Sequence, residues 1–250
     1  MNDSRLSDFS IRNIISEMNL NRDKAVDLDE VLKNNNIRLR ESKLGNDRKG
    51  NPILGACKSV GLNKLIVVSP SISYETRKRF TIAHEIGHLF LHYEKNLFCI
   101  ATDFDVWQDK HTKETEANIF ASELLLPQVA VISSIKRGDI DFEMVDELVN
   151  RYNVSVIATA IRLIKCDSGR SAFIVHDGKK TERIIKSASC RNNIQLTSSD
   201  WTFSGETITR KVDPSIWLSG KTDGWTCSEE TRYLTRLGKY HTILNIYYEK

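Results

Sequence analysis

Residues 79–92 read RFTIAHEIGHLFLH and contain the pattern His-Glu-x-x-His at His84, Glu85 and His88. The apolar residues around the pattern predict a helix, on which residues four apart lie one turn apart with their Cβ atoms about 5–6 Å from each other. The imidazoles of His84 and His88 can therefore converge on one Zn²⁺ ion at the roughly 2.0–2.1 Å that this ion prefers. Glu85 lies beside such an ion, where a carboxylate can take a proton from metal-bound water.

The same short pattern also occurs by chance on ordinary helices. In this chain the neighbouring positions are mostly apolar, namely Ile82, Ala83, Ile86, Leu89, Phe90 and Leu91. The helix is therefore predicted to be buried, and two histidines and a glutamate are costly to bury without partners. A bound metal would explain all three polar residues together, so the metal site is the favoured interpretation.

His92 follows one further turn along the same helix. Its position corresponds to about 12 Å of helix rise from His84, and Leu89, Phe90 and Leu91, which separate it from His88, include no glycine to break the helix. A straight helix cannot bring both residues to one ion. We therefore interpret His92 as a residue that supports the site or packs beside it, and not as a ligand.

A catalytic zinc site needs a third protein ligand, which is often a glutamate. The helix predicted from about Thr112 to Leu126 offers Glu114 and Glu116, which lie about 200° apart around the helix axis. Its apolar stripe consists of Ala117, Phe120, Ala121, Leu124 and Leu125. The centre of this stripe lies about 60° from Glu114 and about 100° from Glu116. Asn118 follows Glu114 by one turn and could hydrogen-bond a ligand, so Glu114 is favoured. The alternative is that both are solvated carboxylates, which the start of a helix favours.

Composition describes an ordinary globular protein. The 250 residues are 40% hydrophobic and 28% charged. The formal net charge of +3 neither argues for a nucleic-acid partner nor excludes one, and direct binding to nucleic acid is not expected. No apolar run approaches the roughly 20 residues needed to span a membrane, so no membrane partner is expected. The five cysteines are scattered and include no Cys-x-x-Cys pair, which is typical of reduced thiols in the cytoplasm. The sequence predicts no oligomeric state.

Other segments suggest how the chain is divided. Short strands are predicted at 37–40, 53–57 and 65–68, forming a small sheet beside the metal helix. Residues 141–166 have the shape of a helix-turn-helix, but the outer face of its second helix offers only Arg162 and Lys165. Plain helix packing is therefore favoured over DNA reading.

After Gly169 the sequence has the pattern of β-strands joined by turns. Asp177-Gly178 is a strong hairpin signal, and strands are predicted at 181–185, 208–212 and 242–248. The tryptophans of this region are Trp201, Trp217 and Trp225, and they predict a small separate core. The predicted division is a metallopeptidase domain at 1–135, a helix-turn-helix-like segment at 136–168 and a β-rich module at 169–250 that regulates or recruits.

Three blocks of sequence together resemble the ImmA/IrrE family of bacterial zinc metallopeptidases. They are 25–28 (AVDL), 79–88 (RFTIAHEIGH) and 114–121 (ETEANIFA) followed by 124–127 (LLLP), and the resemblance spans roughly residues 25–165. It implies an α+β fold with a zincin-like core. The family pattern Glu-x-x-Ala-Asn also supports Glu114 as the third ligand. The resemblance further implies cleavage of a helix-turn-helix repressor, which relieves repression in a mobile element or a stress response.

The resulting hypothesis is a cytoplasmic zinc endopeptidase in which His84, His88 and Glu114 hold Zn²⁺ and Glu85 is the general base. Two alternatives stay open: a non-proteolytic zinc-containing regulator that binds a repressor stoichiometrically, and a DNA-binding regulator. A residue that stabilises the oxyanion is not assigned, although Tyr74, Arg79 and Tyr93 are near in sequence.

Overall fold

The computed structural model describes residues 8–47, 50–92, 96–100, 113–196, 202–203, 207–235 and 237–248, with residues 96–100 described by their backbone. Tyr93 and Trp201, named above, lie outside these ranges. Contacts divide the chain into two compact units. The first consists of Met1–Pro127 with Arg151–Ser155, and the second of Gln128–Asn150 with Val156–Lys250. The three-part division at residues 135 and 168 stays a prediction.

Within the described residues, the first unit combines four helices with one small sheet. The helices are α1 (Asp8–Ser16), α2 (Leu28–Asn34), α3 (Glu75–Leu91) and α4 (Lys113–Leu125). The strands are β1 (Ile37–Glu41), β2 (Ile53–Val60), β3 (Asn63–Val68) and β4 (Asn96–Ile100), in the order β1-β3-β2-β4. Strand β1 runs parallel to β3, whereas β2 is antiparallel to both β3 and β4. This is the α+β arrangement that the sequence predicts, with the sheet beside the helix that carries His-Glu-x-x-His.

Helix α3 is the centre of this unit. It packs on β2 and β3 on one side and on α4 on the other, so every residue from Ile82 to His88 is buried. A helix that is covered all round belongs to a protein core. The helix ends at His92, whose backbone is extended (φ −125°, ψ 109°) and whose N–H still bonds to the carbonyl of His88. The polar residues of the pattern are therefore held in the interior of the unit.

The described part of the second unit contains three α-helices, a short 3₁₀ helix (Pro214–Ile216) and a five-stranded antiparallel sheet. The helices are α5 (Gln128–Ile135), α6 (Phe142–Tyr152, whose last two residues group with the first unit) and α7 (Val156–Cys166). The strands are β5 (Ser171–His176), β6 (Thr181–Lys186), β7 (Thr207–Val212), β8 (Trp225–Leu234) and β9 (Lys239–Tyr248), in the order β6-β5-β9-β8-β7. A left-handed residue, Asn153 (φ 50°), makes the turn between α6 and α7. The helix-turn-helix-like segment and the β-rich module are both confirmed.

The hairpin signal at Asp177-Gly178 joins β5 to β6 as predicted. The Asp177 carboxylate accepts hydrogen bonds from the backbone N–H groups of Lys179 and Lys180 at 2.8 and 2.7 Å. Gly178 has a φ of +91°, which a residue with a side chain rarely adopts. The turn is therefore encoded locally by these few residues.

Strand β8 was not predicted from the sequence. Its inward positions include Glu229 and Thr231, which are almost fully buried although they are polar. The Glu229 carboxylate accepts hydrogen bonds from Arg210 Nε at 2.7 Å and from the indole N–H of Trp217. The alternation that marks a half-buried strand is hidden in the sequence because a paired glutamate takes an inward place.

The core of the second unit lies around Trp217, which is fully buried among the apolar residues Ala172, Ile174, Cys190, Ile194, Leu218, Cys227, Leu244 and Ile246. Cys57, Cys166, Cys190 and Cys227 are free thiols.

Within the described ranges, no single helix is long and apolar enough to cross a membrane, although α4 and α5 together pass that test by length and composition alone.

Candidate metal centre

The site depends on a close approach between α3 and α4. A Cβ atom added at Gly87 would lie 3.1 Å from Phe120 Cβ and 3.2 Å from Ala117 Cα. These distances are tighter than ordinary van der Waals contact, so a side chain at this position would require the neighbouring residues of α4 to shift. Because Gly87 has none, the first turn of α4, which carries Glu114, lies directly beside His84 and His88.

Three side chains meet at this point with the spacing of metal ligands. The Nε2 atoms of His84 and His88 lie 3.0 Å apart. The Glu114 carboxylate lies 3.2 Å from His84 Nε2 and 3.4 Å from His88 Nε2. In a tetrahedral site with bonds of 2.0–2.1 Å, two ligand atoms are separated by about 3.3 Å. The three groups therefore fit around one tetrahedral ion such as zinc, and all three were proposed as ligands from the sequence.

The charge of the site also suits a cation. Burial by itself would raise the pKa of Glu114, but hydrogen bonds with His84 and His88 outweigh burial and hold that pKa well below its usual range. Glu114 is thus an anion. Burial lowers the pKa of His88 and so favours its neutral form. A neutral imidazole has a lone pair to offer to a metal.

Asn118 fixes the orientation of His84. Its side-chain oxygen lies 2.9 Å from His84 Nδ1. Because an amide oxygen only accepts hydrogen bonds, Nδ1 carries the hydrogen and Nε2 keeps its lone pair directed toward His88 and Glu114. The contact that the sequence suggested between Asn118 and a ligand is present.

Glu85 is fully buried and lies outside the group of three. Its carboxylate rests over Gly55 of β2, where an added Cβ would be 2.3 Å from Glu85 Oε1 and 2.7 Å from Thr81 Cγ2. Cys57, two residues after Gly55 on the same strand, is hydrogen-bonded to Glu85. Burial, followed by the charge of Glu85, raises the pKa of the Cys57 thiol. Strand β2 therefore packs directly against the Glu85 carboxylate, a contact that was not predicted from the sequence.

Glu116 and His92 form a second contact between the helices. His92 Nε2 lies 2.9 Å from the Glu116 carboxylate, and His92 Nδ1 lies 2.9 Å from His88 Nδ1. His92 is therefore close to a ligand and outside the metal group, as its spacing predicts. The role of Glu116 was missed: it is no solvated carboxylate, because only 15% of its side chain is exposed.

No residue is assigned to the oxyanion. Arg79 donates a hydrogen bond from Nη2 to the carbonyl of Val26 at 2.9 Å, so its guanidinium holds the chain before α2. Tyr74 is half-exposed and immediately precedes α3.

This fold and this site together define a metallopeptidase domain with a zincin-like core. The model of the IrrE N-terminal-like domain matches residues 33–164, which is just over half of the chain. The chain therefore belongs to this family of metallopeptidases.

Two further comparisons give the extent of the likeness. Metallopeptidase ImmA of Bacillus subtilis (strain 168) is 40% identical over 62 residues, which make up 25% of this chain and 34% of that protein. The chain thus matches about a third of the length of this curated relative. A solved Mycobacterium tuberculosis transcriptional regulator is 13% identical with a TM-score of 0.50, over 96% of this chain and 75% of that one. At this identity the likeness concerns the fold alone.

Proposed function

We propose that this protein is a zinc-dependent endopeptidase that acts in the cytoplasm on a helix-turn-helix repressor. The observation that carries the enzymatic part is the convergence of His84 Nε2, His88 Nε2 and the Glu114 carboxylate at 3.0–3.4 Å from one another. Three protein ligands leave the fourth position of a tetrahedral ion open, which is the composition of a catalytic rather than a structural zinc site. When bound, zinc would lower the pKa of a water molecule and polarise the scissile carbonyl.

Glu85 is the general base in this proposal. It is not one of the three side chains that converge as metal ligands, but it follows His84 directly in the chain and is fully buried. Its carboxylate takes a proton from the attacking water and later gives it to the leaving amine. Gly55 and Cys57 hold the carboxylate in place from β2.

The substrate is proposed from family resemblance. The blocks shared with the ImmA/IrrE family include the ligands and the Glu-x-x-Ala-Asn pattern, and the match to Metallopeptidase ImmA supports the same assignment. Cleavage of the repressor would relieve repression in a mobile element or a stress response. We place the peptidase chemistry in residues 1–135, because the described residues that form and support the site all lie between Gly55 and Asn118. Residues 169–250 would then regulate or recruit.

The proposal is tested by incubating the zinc-loaded full chain with a helix-turn-helix repressor encoded beside its gene. We expect the repressor to be cut at one or a few bonds, which mass spectrometry identifies, and a zinc chelator to stop the reaction. A repressor that stays intact but is released from its operator would instead identify a stoichiometric regulator. Salt-dependent binding of this chain alone to the operator would favour a DNA-binding regulator.

Replacing Gly55 with alanine is expected to slow cleavage while zinc stays bound. The added Cβ would lie 2.3 Å from Glu85 Oε1, so the carboxylate must move, whereas the three ligands are not touched. A misplacement of about 1 Å can cost a factor of about 10² in rate. Gly138→Ala is the matched control, because nothing lies within 4 Å of its added Cβ. If Gly55→Ala cleaved at the wild-type rate with equal zinc content, β2 would have no role in positioning Glu85.

A further inference from the structure

We propose that His92 and Glu116 are positioning residues for the ligand His88, which fix both the hydrogen on its ring and the direction of its lone pair. The inference rests on the metal site of the proposed function. It concerns how the site is held and is independent of what the protein cleaves. The two contacts that carry it are those from His88 Nδ1 to His92 Nδ1 and from His92 Nε2 to the Glu116 carboxylate, each 2.9 Å long.

Only one hydrogen can lie between the two Nδ1 atoms. If His88 carries it, His88 Nε2 has a lone pair for the metal and His92 Nδ1 accepts the hydrogen bond. A neutral His92 then carries its own hydrogen on Nε2, where the carboxylate of Glu116 accepts it. Every donor in this chain of contacts has an acceptor.

The reverse arrangement fails at both ends. With the hydrogen on His92 Nδ1, a neutral His92 would present the lone pair of Nε2 to the carboxylate of Glu116, which donates nothing. His88 would then carry its hydrogen on Nε2, 3.0 Å from His84 Nε2, where the metal belongs. Glu116 thus selects the ring form of His92, and His92 selects that of His88.

Burial strengthens the hydrogen bonds among His88, His92 and Glu116. His88 is fully buried, and the side chains of His92 and Glu116 are 4% and 15% exposed. Hydrogen bonds are electrostatically stronger in the protein interior, because the local dielectric constant is lower than that of water. The extended backbone at His92 ends α3 and lets the ring lie beside that of His88, with ring centroids 5.0 Å apart.

The first turn of α4 therefore acts on both ends of one imidazole. Glu114 lies near His88 Nε2, and Glu116 reaches His88 Nδ1 through His92. Partners of this kind that orient a ligand typically change metal affinity by about 10–100-fold when they are removed. A role in packing alone predicts no such change.

The experiment measures the rate at which the full-length, zinc-loaded protein releases zinc to an excess of chelator. His92→Phe keeps a ring for packing and removes the acceptor, and we expect release to be about 10–100-fold faster. Glu116→Gln keeps size and an accepting oxygen but removes the charge, so we expect a smaller increase in the same direction. Glu143→Gln, an exposed carboxylate in the first turn of α6, is the matched control and should behave as the wild type. Release within twofold of wild type in both variants, with unchanged thermal unfolding, would overturn the inference.

A second measurement decides the point even if His92→Phe does not fold. Nitrogen-15 NMR of the histidine rings should show the hydrogen of His92 on Nε2 in the wild-type protein. A hydrogen on His92 Nδ1 would overturn the inference. Neither readout uses cleavage, so a protein that retains these signatures but cuts no repressor would contradict the proposed function and leave the positioning role intact.

Discussion

The Glu85→Gln variant is expected to bind zinc as the wild type does and to cleave its substrate roughly 10²–10⁴-fold more slowly, the range typical of losing a general acid–base group. Glutamine has the size of glutamate, so it fits the fully buried space over Gly55. Its side-chain oxygen can still accept the hydrogen bond from the Cys57 thiol. What it cannot do is take a proton from water at neutral pH. The three ligands are unchanged.

The measurement is a time course of repressor cleavage by the two proteins at equal zinc content. Glu143→Gln serves again as control, because it makes the same chemical change on the surface. Equal rates for Glu85→Gln and wild type would remove Glu85 from the mechanism. If neither protein cuts the repressor but both relieve repression, the protein is a binding regulator.

Glu114→Ala is expected to lose most of its zinc. The substitution removes the one anionic ligand and leaves two imidazoles whose Nε2 atoms face each other at 3.0 Å. The loss should exceed the 10–100-fold that follows from removing a residue which only orients a ligand. Glu116→Ala is the matched control, two residues away on the same helix, and should still purify with zinc although it releases the ion faster.

Metal analysis of both purified variants provides the readout, and thermal unfolding of each shows whether the helix is intact. Loss of zinc from the Glu116 variant alone would reverse the assignment of the third ligand. Retention of full zinc content by both variants would exclude α4 as a source of ligands.

The candidate ligands were predictable because each is marked by a pattern within its own helix. His84 and His88 are four residues apart on a buried helix, and this spacing places them on one face. Glu114 followed from the side of α4 that carries its apolar stripe, together with the family pattern around Asn118. In both cases the deciding information lies within a single helix.

The contacts of Glu116, Gly55 and Cys57 were not predictable in the same way. Glu116 finds its partner on another helix, and the register of that contact depends on the close approach at Gly87. Gly55 and Cys57 reach Glu85 from a strand about 30 residues earlier in the chain. Such contacts depend on packing between distant segments, for which a single sequence has no periodic signal. Strand β8 was missed for a related reason, because its buried Glu229 is satisfied by Arg210 and Trp217 from other elements.

The most direct test of the metal site is an anomalous diffraction map of the zinc-loaded protein, recorded on either side of the zinc absorption edge. The account predicts one zinc peak within about 2.0–2.2 Å of His84 Nε2, His88 Nε2 and a carboxylate oxygen of Glu114, with Glu85, Glu116 and His92 outside bonding distance. A peak that is bonded to Glu116 or His92, or a stoichiometric zinc that lies elsewhere in the protein, would contradict it.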